Sequence, residues 1–293
     1  MDLSVCVVSY NTRELVDECL MSIFENSEGI TLEVTVVDNG SSDGTAEMVK
    51  AQFPQVRLIA NDRNLYFTKA NNQALRVSHG RYVLILNSDT RTEQGALPRL
   101  VLFMDTHRQV GGATCRLIDY QGNLLRNVRP FHTPLSMMLR CEIPSWTFGN
   151  NAAVQRYLGI PDWDWQSPRA VDVAEDSCFM VRREAFDAIG LYDEQMLLYY
   201  TEDDLCQRLR QRGWLVMYYP EAQVVHGVHQ TARRVGNLPI IRIRFRDQVV
   251  YGRKYLGIWK TCLVALVSWL DLVAVTLLSG VGLIGHRNAN DES

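Results

Sequence analysis

The feature that most restricts the fold of this chain is a run of five apolar residues, 82–86, followed at once by Asn87, Ser88, Asp89 and Thr90. Because the run lacks polar alternation, it predicts a strand buried on both faces, which is typical of parallel sheets covered by helices. Ligands of such sheets bind beyond the carboxyl ends of the strands, so the run would deliver Asp89 to a site. A carboxylate beside an amide and a hydroxyl suits a hard divalent cation carrying phosphate oxygens. An Asp whose only role is to cap the next helix would give the same sequence pattern.

Three further strand-like runs precede this one, and each is followed by a polar turn and a segment with apolar residues at helical spacing. The runs are residues 3–9, 32–37 and 56–59. This alternation predicts a right-handed α/β unit with a parallel sheet. The polar residues that follow the strands should then gather along one edge. They are Ser9, Asp38, Asn64 and Asp89.

The composition and the absence of certain motifs argue against several classes of fold and partner. A net charge of −3 gives no overall case for nucleic acid as a partner. The first helix is not opened by Gly-x-Gly-x-x-Gly, and Gly-x-x-x-x-Gly-Lys is missing, so neither a dinucleotide fold nor a P-loop is expected. Seven scattered cysteines without a Cys-x-x-Cys pair predict reduced core residues in a cytosolic protein. The first residues lack the basic segment of a secretory signal.

Residues 127–170 hold five of the nine prolines and are predicted to be irregular, as loops that recognise a substrate often are. Trp163 and Trp165 within them could stack on a sugar ring or form a local hydrophobic plug. Residues 171–181 are predicted to form one strand, and Pro220 is expected to end another, at 214–219.

Three adjacent acids, Glu202, Asp203 and Asp204, open a predicted helix for which Thr201 is the expected N-cap. Acids in a first helical turn satisfy free amides and the helix dipole without any further role. Three acids exceed what capping needs, so one of them is a candidate general base that faces the pocket.

His226 follows a short predicted strand, residues 223–225. A single histidine at a strand end is more often structural than a ligand. If this edge joins the one that holds Asp89, the two side chains form a mixed oxygen and nitrogen site that favours Mn²⁺ or Mg²⁺, with phosphate completing the shell.

Taken together, seven ordered motifs resemble family 2 glycosyltransferases of the GT-A fold, and among these the rhamnosyltransferase-type enzymes of bacterial surface-polysaccharide assembly. They are VVSYN (7–11), VVDNGSSDGT (36–45), NDRNLYFTKANNQ (61–73), LILNSDT (84–90), CFMVRREAFDAIGLYDE (178–194), YTEDDLCQRLRQRGW (200–214) and VVH (224–226). The resemblance implies an α/β GT-A domain at 1–235 with a mostly parallel central sheet flanked by helices. Residues 1–110 would form its nucleotide-sugar half and 111–235 its acceptor and catalytic half.

The resemblance also implies roles for individual residues. In the family's pattern the motif around 7–11 lines the nucleoside site, Asp38 reads the pyrimidine, and Asp89 with His226 holds Mg²⁺ or Mn²⁺. Asp203, with Glu202 beside it, matches the base that deprotonates the acceptor hydroxyl. The residues expected to bind the nucleotide sugar are Ser9, Tyr10, Asn11, Asp38, Asn64, Asn71, Asn87, Ser88 and Asp89.

The activity implied is inverting, metal-dependent transfer of a hexosyl unit, with dTDP-L-rhamnose as the expected donor. The acceptor would be a hydroxyl of a saccharide, one that a polyprenyl diphosphate lipid could carry. A UDP-sugar transferase of the same fold and a catalytically silent nucleotide-sugar-binding scaffold are the alternatives. Three departures from the family's pattern bear on this choice: Asn87 replaces the first acid of Asp-x-Asp, Tyr66 replaces a glycine, and Glu175-Asp176 replaces Ser-Gly.

Residues 236–293 are predicted to form basic and hydrophobic helices appended to that domain. Residues 261–285 carry Asp271 as their only charge. Their length suffices to cross a bilayer, but a central charge costs about 3 kcal/mol on insertion scales. An in-plane anchor, a spanning helix paired with a partner and an oligomerisation element are all compatible with this pattern. Membrane attachment would place the protein at the cytoplasmic face of the cell membrane.

Overall fold

In the computed structural model, which describes residues 1–159, 163–227 and 237–280, a single large sheet organises the chain. The order of its main path is β3-β2-β1-β4-β11-β6-β12-β5, with β7 beside β6 and β9 beside β12, while β8 and β10 form a separate pair. The strands are β1 Leu3–Ser9, β2 Leu32–Asp38, β3 Arg57–Ala60, β4 Tyr82–Asn87, β5 Thr90–Thr92, β6 Val110–Ile118, β7 Leu124–Leu125, β8 Val128–Arg129, β9 Arg169–Val171, β10 Val173–Ala174, β11 Cys178–Arg182 and β12 Leu215–His226.

The first four strands of that path are parallel, as the alternation of strands and helices predicts. Strand β11 then enters antiparallel between β4 and β6, whereas β6 and β12 are parallel to each other. The antiparallel insertion matters for the site because it brings the start of β11 to the carboxyl end of β4.

Helices cover both faces of the sheet. They are α1 Arg13–Glu25, α2 Thr45–Gln52, α3 Tyr66–Arg76, α4 Ala96–Thr106, α5 Pro134–Leu139, α6 Glu142–Phe148, α7 Ala152–Leu158, α8 Arg183–Ile189, α9 Thr201–Gln211, α10 Asn237–Tyr255 and α11 Ile258–Gly280. Alternate residues of β4 enter two different cores: Leu84 packs with α1, α2 and α4, while Val83 and Ile85 pack with α3, α8 and α9. This two-sided burial explains why the run at 82–86 has no polar alternation.

Three local predictions are wrong. Residues 171–181 form the end of β9, β10 and β11 with breaks between them, and 127–170 contain three short helices, α5 to α7. Pro220 does not end a strand: β12 continues through it with a change of register between Tyr219 and Gln223. A bulge absorbs the proline, which donates no ladder hydrogen bond.

The starts of α1 and α9 also depart from simple capping, the second at Thr201, the expected N-cap. Thr12 precedes α1, but its hydroxyl makes no capping bond and instead contacts Ser9 Oγ at 2.9 Å and Ser88 Oγ at 3.2 Å. Thr201 is the first residue of α9, and Tyr200 precedes it with a φ of 61°. Both threonine hydroxyls therefore point toward the strand ends, where the candidate site lies.

Candidate functional site

The carboxyl ends of β1, β2 and β4 lie side by side. Their register pairs Ser9 with Asp38 and Val8 with Asn87, so the polar residues after the three strands share one edge. Asn39 N donates to Ser9 O at 2.8 Å and ties the first two strand ends together. The expected clustering at this edge follows from the common direction of parallel strands.

Two loops at this edge hold a buried, unpartnered carboxylate oxygen. Asn11 has a φ of 54°, its amide N–H donates to Ser41 Oγ at 2.8 Å, and its side-chain oxygen accepts from Ser42 N at 2.8 Å. Asp38 Oδ2 accepts from Ser41 N at 3.2 Å, whereas Asp38 Oδ1 is buried without a protein partner. Buried polar atoms are nearly always bonded, so Asp38 Oδ1 is an acceptor available to a ligand N–H. Tyr10, beside Asn11, is half-buried.

The loop after β3 is fastened to the loop after β2. Asn39 Nδ2 donates to Asn64 Oδ1 at 2.9 Å. Gly40 has a φ of 81°, and a Cβ there would come within 2.8 Å of the Arg63 backbone, so only glycine permits this approach. On α3, Asn71 Nδ2 donates to Phe67 O while Asn71 Oδ1 is buried without a partner, a second acceptor facing no protein donor.

Asp89 and His226 meet at the opposite side of this edge. Asp89 Oδ1 lies 3.2 Å from His226 Nε2, and Asn87 Nδ2 lies 3.5 Å from the same nitrogen. The pairing of β5 with β12 aligns Thr90 with His226, and Gly227 N donates to Asp89 O at 2.8 Å. Two segments that are distant in sequence thus present one carboxylate and one imidazole together.

This oxygen and nitrogen pair fits a divalent cation whose remaining positions are filled by phosphate. Within residues 1–159, 163–227 and 237–280, no group of three or more His, Cys, Asp or Glu side chains is arranged to hold a metal by itself. By itself the pair supplies two ligands, one carboxylate oxygen and one imidazole nitrogen.

The acids of α9 are bound by an arginine that the sequence did not point to. Arg129 Nη1 donates to Asp203 Oδ1 at 2.6 Å, and Arg129 Nη2 donates to Asp203 Oδ2 and Glu202 Oε1, both at 2.7 Å. His132 Nε2 lies 3.8 Å from Asp203 Oδ1. Asp204 points away from these groups, to Arg208, Lys254 and Tyr255.

Burial and charge separate the two acids that face Arg129. Burial raises the pKa of Glu202 above its usual value. Burial would also raise the pKa of Asp203, but the Arg129 guanidinium outweighs it and holds that pKa below the usual value. Burial lowers the pKa of His132 to about 3, so its ring is neutral near pH 7. Asp203 is thus an ionised carboxylate at neutral pH, the state that a general base requires.

The turn between β10 and β11 connects the two groups of candidate residues. Asn87 N donates to Ser177 O at 3.0 Å, and on the other side Thr201 Oγ1 donates to Asp176 Oδ2 at 3.3 Å. Ser177 Oγ is buried without a protein partner, and Asp176 is buried beside Tyr192. Asp176 and Ser177 therefore lie between Asn87, next to the Asp89 corner, and the start of α9.

The candidate site is defined by these contacts rather than by an enclosed chamber. A surface cavity of about 390 Å³ lies elsewhere, between α1 and β5, and is lined by Glu18, Met21, Ser22, Glu25, Asn26, Arg91, Thr92, Glu93 and Gln94. None of the residues predicted from the sequence lines it.

Comparison with known proteins identifies relatives in sequence and in fold. Residues 4–190 match the family model described as Glycosyl transferase family 2. N-acetylglucosaminyl-diphospho-decaprenol L-rhamnosyltransferase of Mycobacterium tuberculosis is 27% identical over 244 residues, which cover 79% of this chain and 78% of that protein. Succinoglycan biosynthesis protein ExoO of Rhizobium meliloti is 36% identical over 127 residues, 43% of this chain and 36% of that protein.

Among solved structures, mannosyltransferase PcManGT from Pyrobaculum calidifontis, determined with GDP-Man and Mn²⁺, superposes with a TM-score of 0.59. It is 18% identical, and the match covers 96% of this chain and 79% of that one. At this identity the likeness concerns the fold, which is the GT-A fold. The fold predicted from the sequence motifs is confirmed.

Proposed function

Because this chain belongs to glycosyl transferase family 2, we propose that it transfers L-rhamnose from dTDP-L-rhamnose, with inversion, to a hydroxyl of a lipid-linked saccharide in bacterial polysaccharide biosynthesis. That the chain is a glycosyltransferase follows from its family. The donor, the acceptor and the stereochemistry are the proposed part. The name of the mycobacterial relative supports both rhamnose and a polyprenyl-linked acceptor.

The donor is proposed to lie along the strand-end edge. Asp38 Oδ1, buried and unpartnered, is positioned to accept the N3–H of a pyrimidine base, while Ser9, Tyr10, Asn11, Asn64 and Asn71 surround the nucleoside side. Asn87 and Ser88 adjoin the diphosphate. The sugar would then lie against Asp176 and Ser177, and the unpartnered Ser177 Oγ suits a sugar hydroxyl.

Asp89 and His226 are the residues proposed to hold Mg²⁺ or Mn²⁺. When bound there, the cation would supply positive charge that stabilises the leaving nucleoside diphosphate. Asn87 removes one negative charge compared with an Asp-x-Asp site, so we expect a cation that binds weakly without the donor and more tightly with it.

Asp203 is proposed to remove the proton from the acceptor hydroxyl. The carboxylate is fully buried and both of its oxygens accept from Arg129, and each oxygen keeps a second lone pair that could accept the acceptor hydroxyl. Glu202 has 18% of its side chain exposed and is proposed to orient the acceptor beside it. Attack from the α9 side, opposite the diphosphate, inverts the anomeric centre.

One observation carries this proposal: the turn at Asp176 and Ser177 is bonded on one side to Asn87 and on the other to Thr201. This turn supports the proposal of a leaving-group site near Asn87 and a base on α9, one on either side of the bound sugar. That arrangement is what a displacement at a sugar carbon requires.

The test is a screen of purified protein against nucleotide sugars, with Mn²⁺, with Mg²⁺ and with EDTA, in which release of the nucleoside diphosphate is measured. We expect turnover of dTDP-L-rhamnose that EDTA removes. A preference for UDP-galactose or UDP-N-acetylglucosamine would instead favour the second candidate, a UDP-sugar transferase of the same fold.

A silent nucleotide-sugar-binding scaffold is the alternative from a different class, and the loss of the first Asp-x-Asp acid is the observation that favours it. The scaffold alternative is supported if nucleotide sugars bind but none is turned over, whichever metal and acceptor saccharide are supplied.

The lipid-linked acceptor implies a location at the cytoplasmic face of the cell membrane. Residues 1–235 are proposed as the transferase domain, and 236–293 as the segment that associates with the membrane or with a second copy of the chain. One described helix, spanning Ile258–Leu278, is long and apolar enough to cross a bilayer, and its mean hydropathy is 2.2. No nucleic acid is expected as a partner.

A further inference from the structure

Helix α11 has two opposite faces that differ in what they contact. Its inner face is buried against the rest of the protein and comprises Thr261, Val264, Ser268, Asp271 and Val275. Its outer face is exposed and almost wholly apolar, and its large side chains are Trp259, Leu263, Leu266, Leu270, Val273 and Leu277. At about 100° per residue the two sets lie on opposite sides of the helix.

The inner face is fastened to the transferase domain by polar bonds as well as by packing. Asp271 Oδ2 accepts from Glu142 N at 2.9 Å, and Asp271 Oδ1 accepts from Ile143 N at 2.8 Å, so Asp271 caps helix α6. Ser268 Oγ lies 3.3 Å from Cys141 Sγ. The charge that interrupts the apolar segment in the sequence therefore serves as a cap for another helix of the same chain.

A helix held in this way cannot cross a bilayer without leaving the domain. Crossing would surround α11 with lipid on all sides, which would separate Asp271 from the amides of α6 and carry its charge to the middle of the membrane. The core helix of a soluble protein is also a poor description, since only 28% of the apolar window is buried.

The outer face has the composition of a surface that lies in the membrane interface. From residue 259 to residue 277 it extends for about 27 Å along the helix axis. Trp259 on this face is 85% exposed, Trp269 at its flank is 51% exposed, and tryptophan is the side chain enriched at the level of lipid headgroups. Lys260 is exposed beside Trp259, so a basic group for anionic headgroups adjoins the apolar stripe.

We infer that α11 lies in the plane of the membrane as a monotopic anchor, with its outer face in the interface of an anionic bilayer and its inner face holding the transferase domain against that surface. This inference rests on the membrane location proposed above and specifies its geometry. A lipid-linked acceptor would then reach the site by lateral diffusion, without leaving the bilayer.

The first test is flotation of the full chain with vesicles of phosphatidylcholine and phosphatidylglycerol. Wild type is expected to float, and the double variant Leu266→Glu with Leu270→Glu is expected to lose at least about tenfold of that binding, because two charges would enter the apolar layer. Leu102→Glu is the matched control, since Leu102 is 63% exposed on α4, and it should float like wild type. Circular dichroism of each variant shows that the fold is kept.

The second test measures depth. A fluorophore is attached to Cys262, the one exposed cysteine among the described residues, or to Leu270→Cys or Leu277→Cys in a Cys262→Ser background. Lipids with a quencher at a shallow or a deep acyl position are then compared. An in-plane helix places all three labels at the same shallow depth, whereas a spanning helix places position 270 deep and overturns the inference.

Self-association is the remaining outcome that would overturn it. In that case wild type would not float, and light scattering would show an oligomer that Leu266→Glu with Leu270→Glu dissociates. Flotation needs no turnover, so the two proposals fail separately. A protein that floats but transfers no sugar contradicts only the proposed function, and one that glycosylates a short water-soluble acceptor but never floats contradicts only the membrane geometry.

Discussion

Arg129 is the residue whose position bears most directly on the chemistry, because its guanidinium engages both oxygens of Asp203 and one of Glu202. A base acts only when unprotonated, so the acidic limb of the pH profile of kcat/KM should follow the pKa of Asp203. Burial alone would raise that pKa, and Arg129 lowers it. Arg129 is therefore expected to keep the enzyme active at lower pH.

Replacing Arg129 by Gln should move the acidic limb to higher pH by about one unit or more, since an adjacent opposite charge lowers a carboxyl pKa by about that much. Arg129→Lys keeps the charge and should shift the limb less. Arg210→Gln, which removes an exposed arginine paired with Asp172, is the control. An acidic limb that is unchanged in Arg129→Gln would contradict the proposed role of Asp203.

At the scale of elements, α10 supports the start of α9. Asp247 on α10 accepts from the backbone amides of three successive residues before α9, Leu197, Leu198 and Tyr199, at 2.9, 2.8 and 3.0 Å. Asp247 is fully buried. A single carboxylate thus fixes the segment that leads into the candidate base.

Asp247→Ala should leave three amides without their acceptor, which costs about 1–3 kcal/mol for each buried group that water does not reach. We expect a lower free energy of unfolding and a kcat reduced about tenfold, because the segment that leads into Asp203 loses its anchor. Urea unfolding and steady-state kinetics measure both. Asp187→Ala on the exposed face of α8 is the matched control; equal losses in the two variants would refute the role of Asp247.

The elements also show how far the sequence leads. The strand-end edge was predictable because parallel strands share a direction, so residues that follow each strand must meet. The roles of Arg129 and His132 were not predictable. They come from a proline-rich segment, and they contact Asp203 about 70 residues further along the chain. Thr12 occupies the N-cap position of α1, but its hydroxyl contacts Ser9 and Ser88 instead of a helix amide. In the sequence, Asp271 is a charge that disfavours burial of an apolar segment. The structure shows that it accepts from an amide at the start of α6.

For the whole molecule, the C-terminal helices are in contact with the transferase domain. Tyr251 stacks on Tyr200 with ring centroids 5.3 Å apart. Lys254 Nζ lies 2.5 Å from Asp204 Oδ1, and Tyr255 OH donates to the same oxygen at 2.6 Å. The start of α9 is therefore held from both sides, by Arg129 and by α10.

A chain ending at residue 235 should for this reason be destabilised, with a Tm lower by about 5 °C or more, and should lose transfer even to a water-soluble acceptor. Differential scanning calorimetry and the transfer assay measure the two effects. Full activity of that shortened chain would show that α10 supports nothing at the site.

The claim on which the account depends is that Asp89 and Asp203 lie on opposite sides of one bound sugar and do different work. Calorimetric titration of wild type, Asp89→Asn and Asp203→Asn with the preferred nucleotide sugar and Mn²⁺, beside the transfer rate of each, tests it most directly. We predict that both variants lose transfer by about 100-fold or more. Asp203→Asn should still bind the donor with metal, whereas Asp89→Asn should not. If Asp203→Asn transfers sugar at the wild-type rate, or if Asp89→Asn binds donor and metal unchanged, the account is wrong.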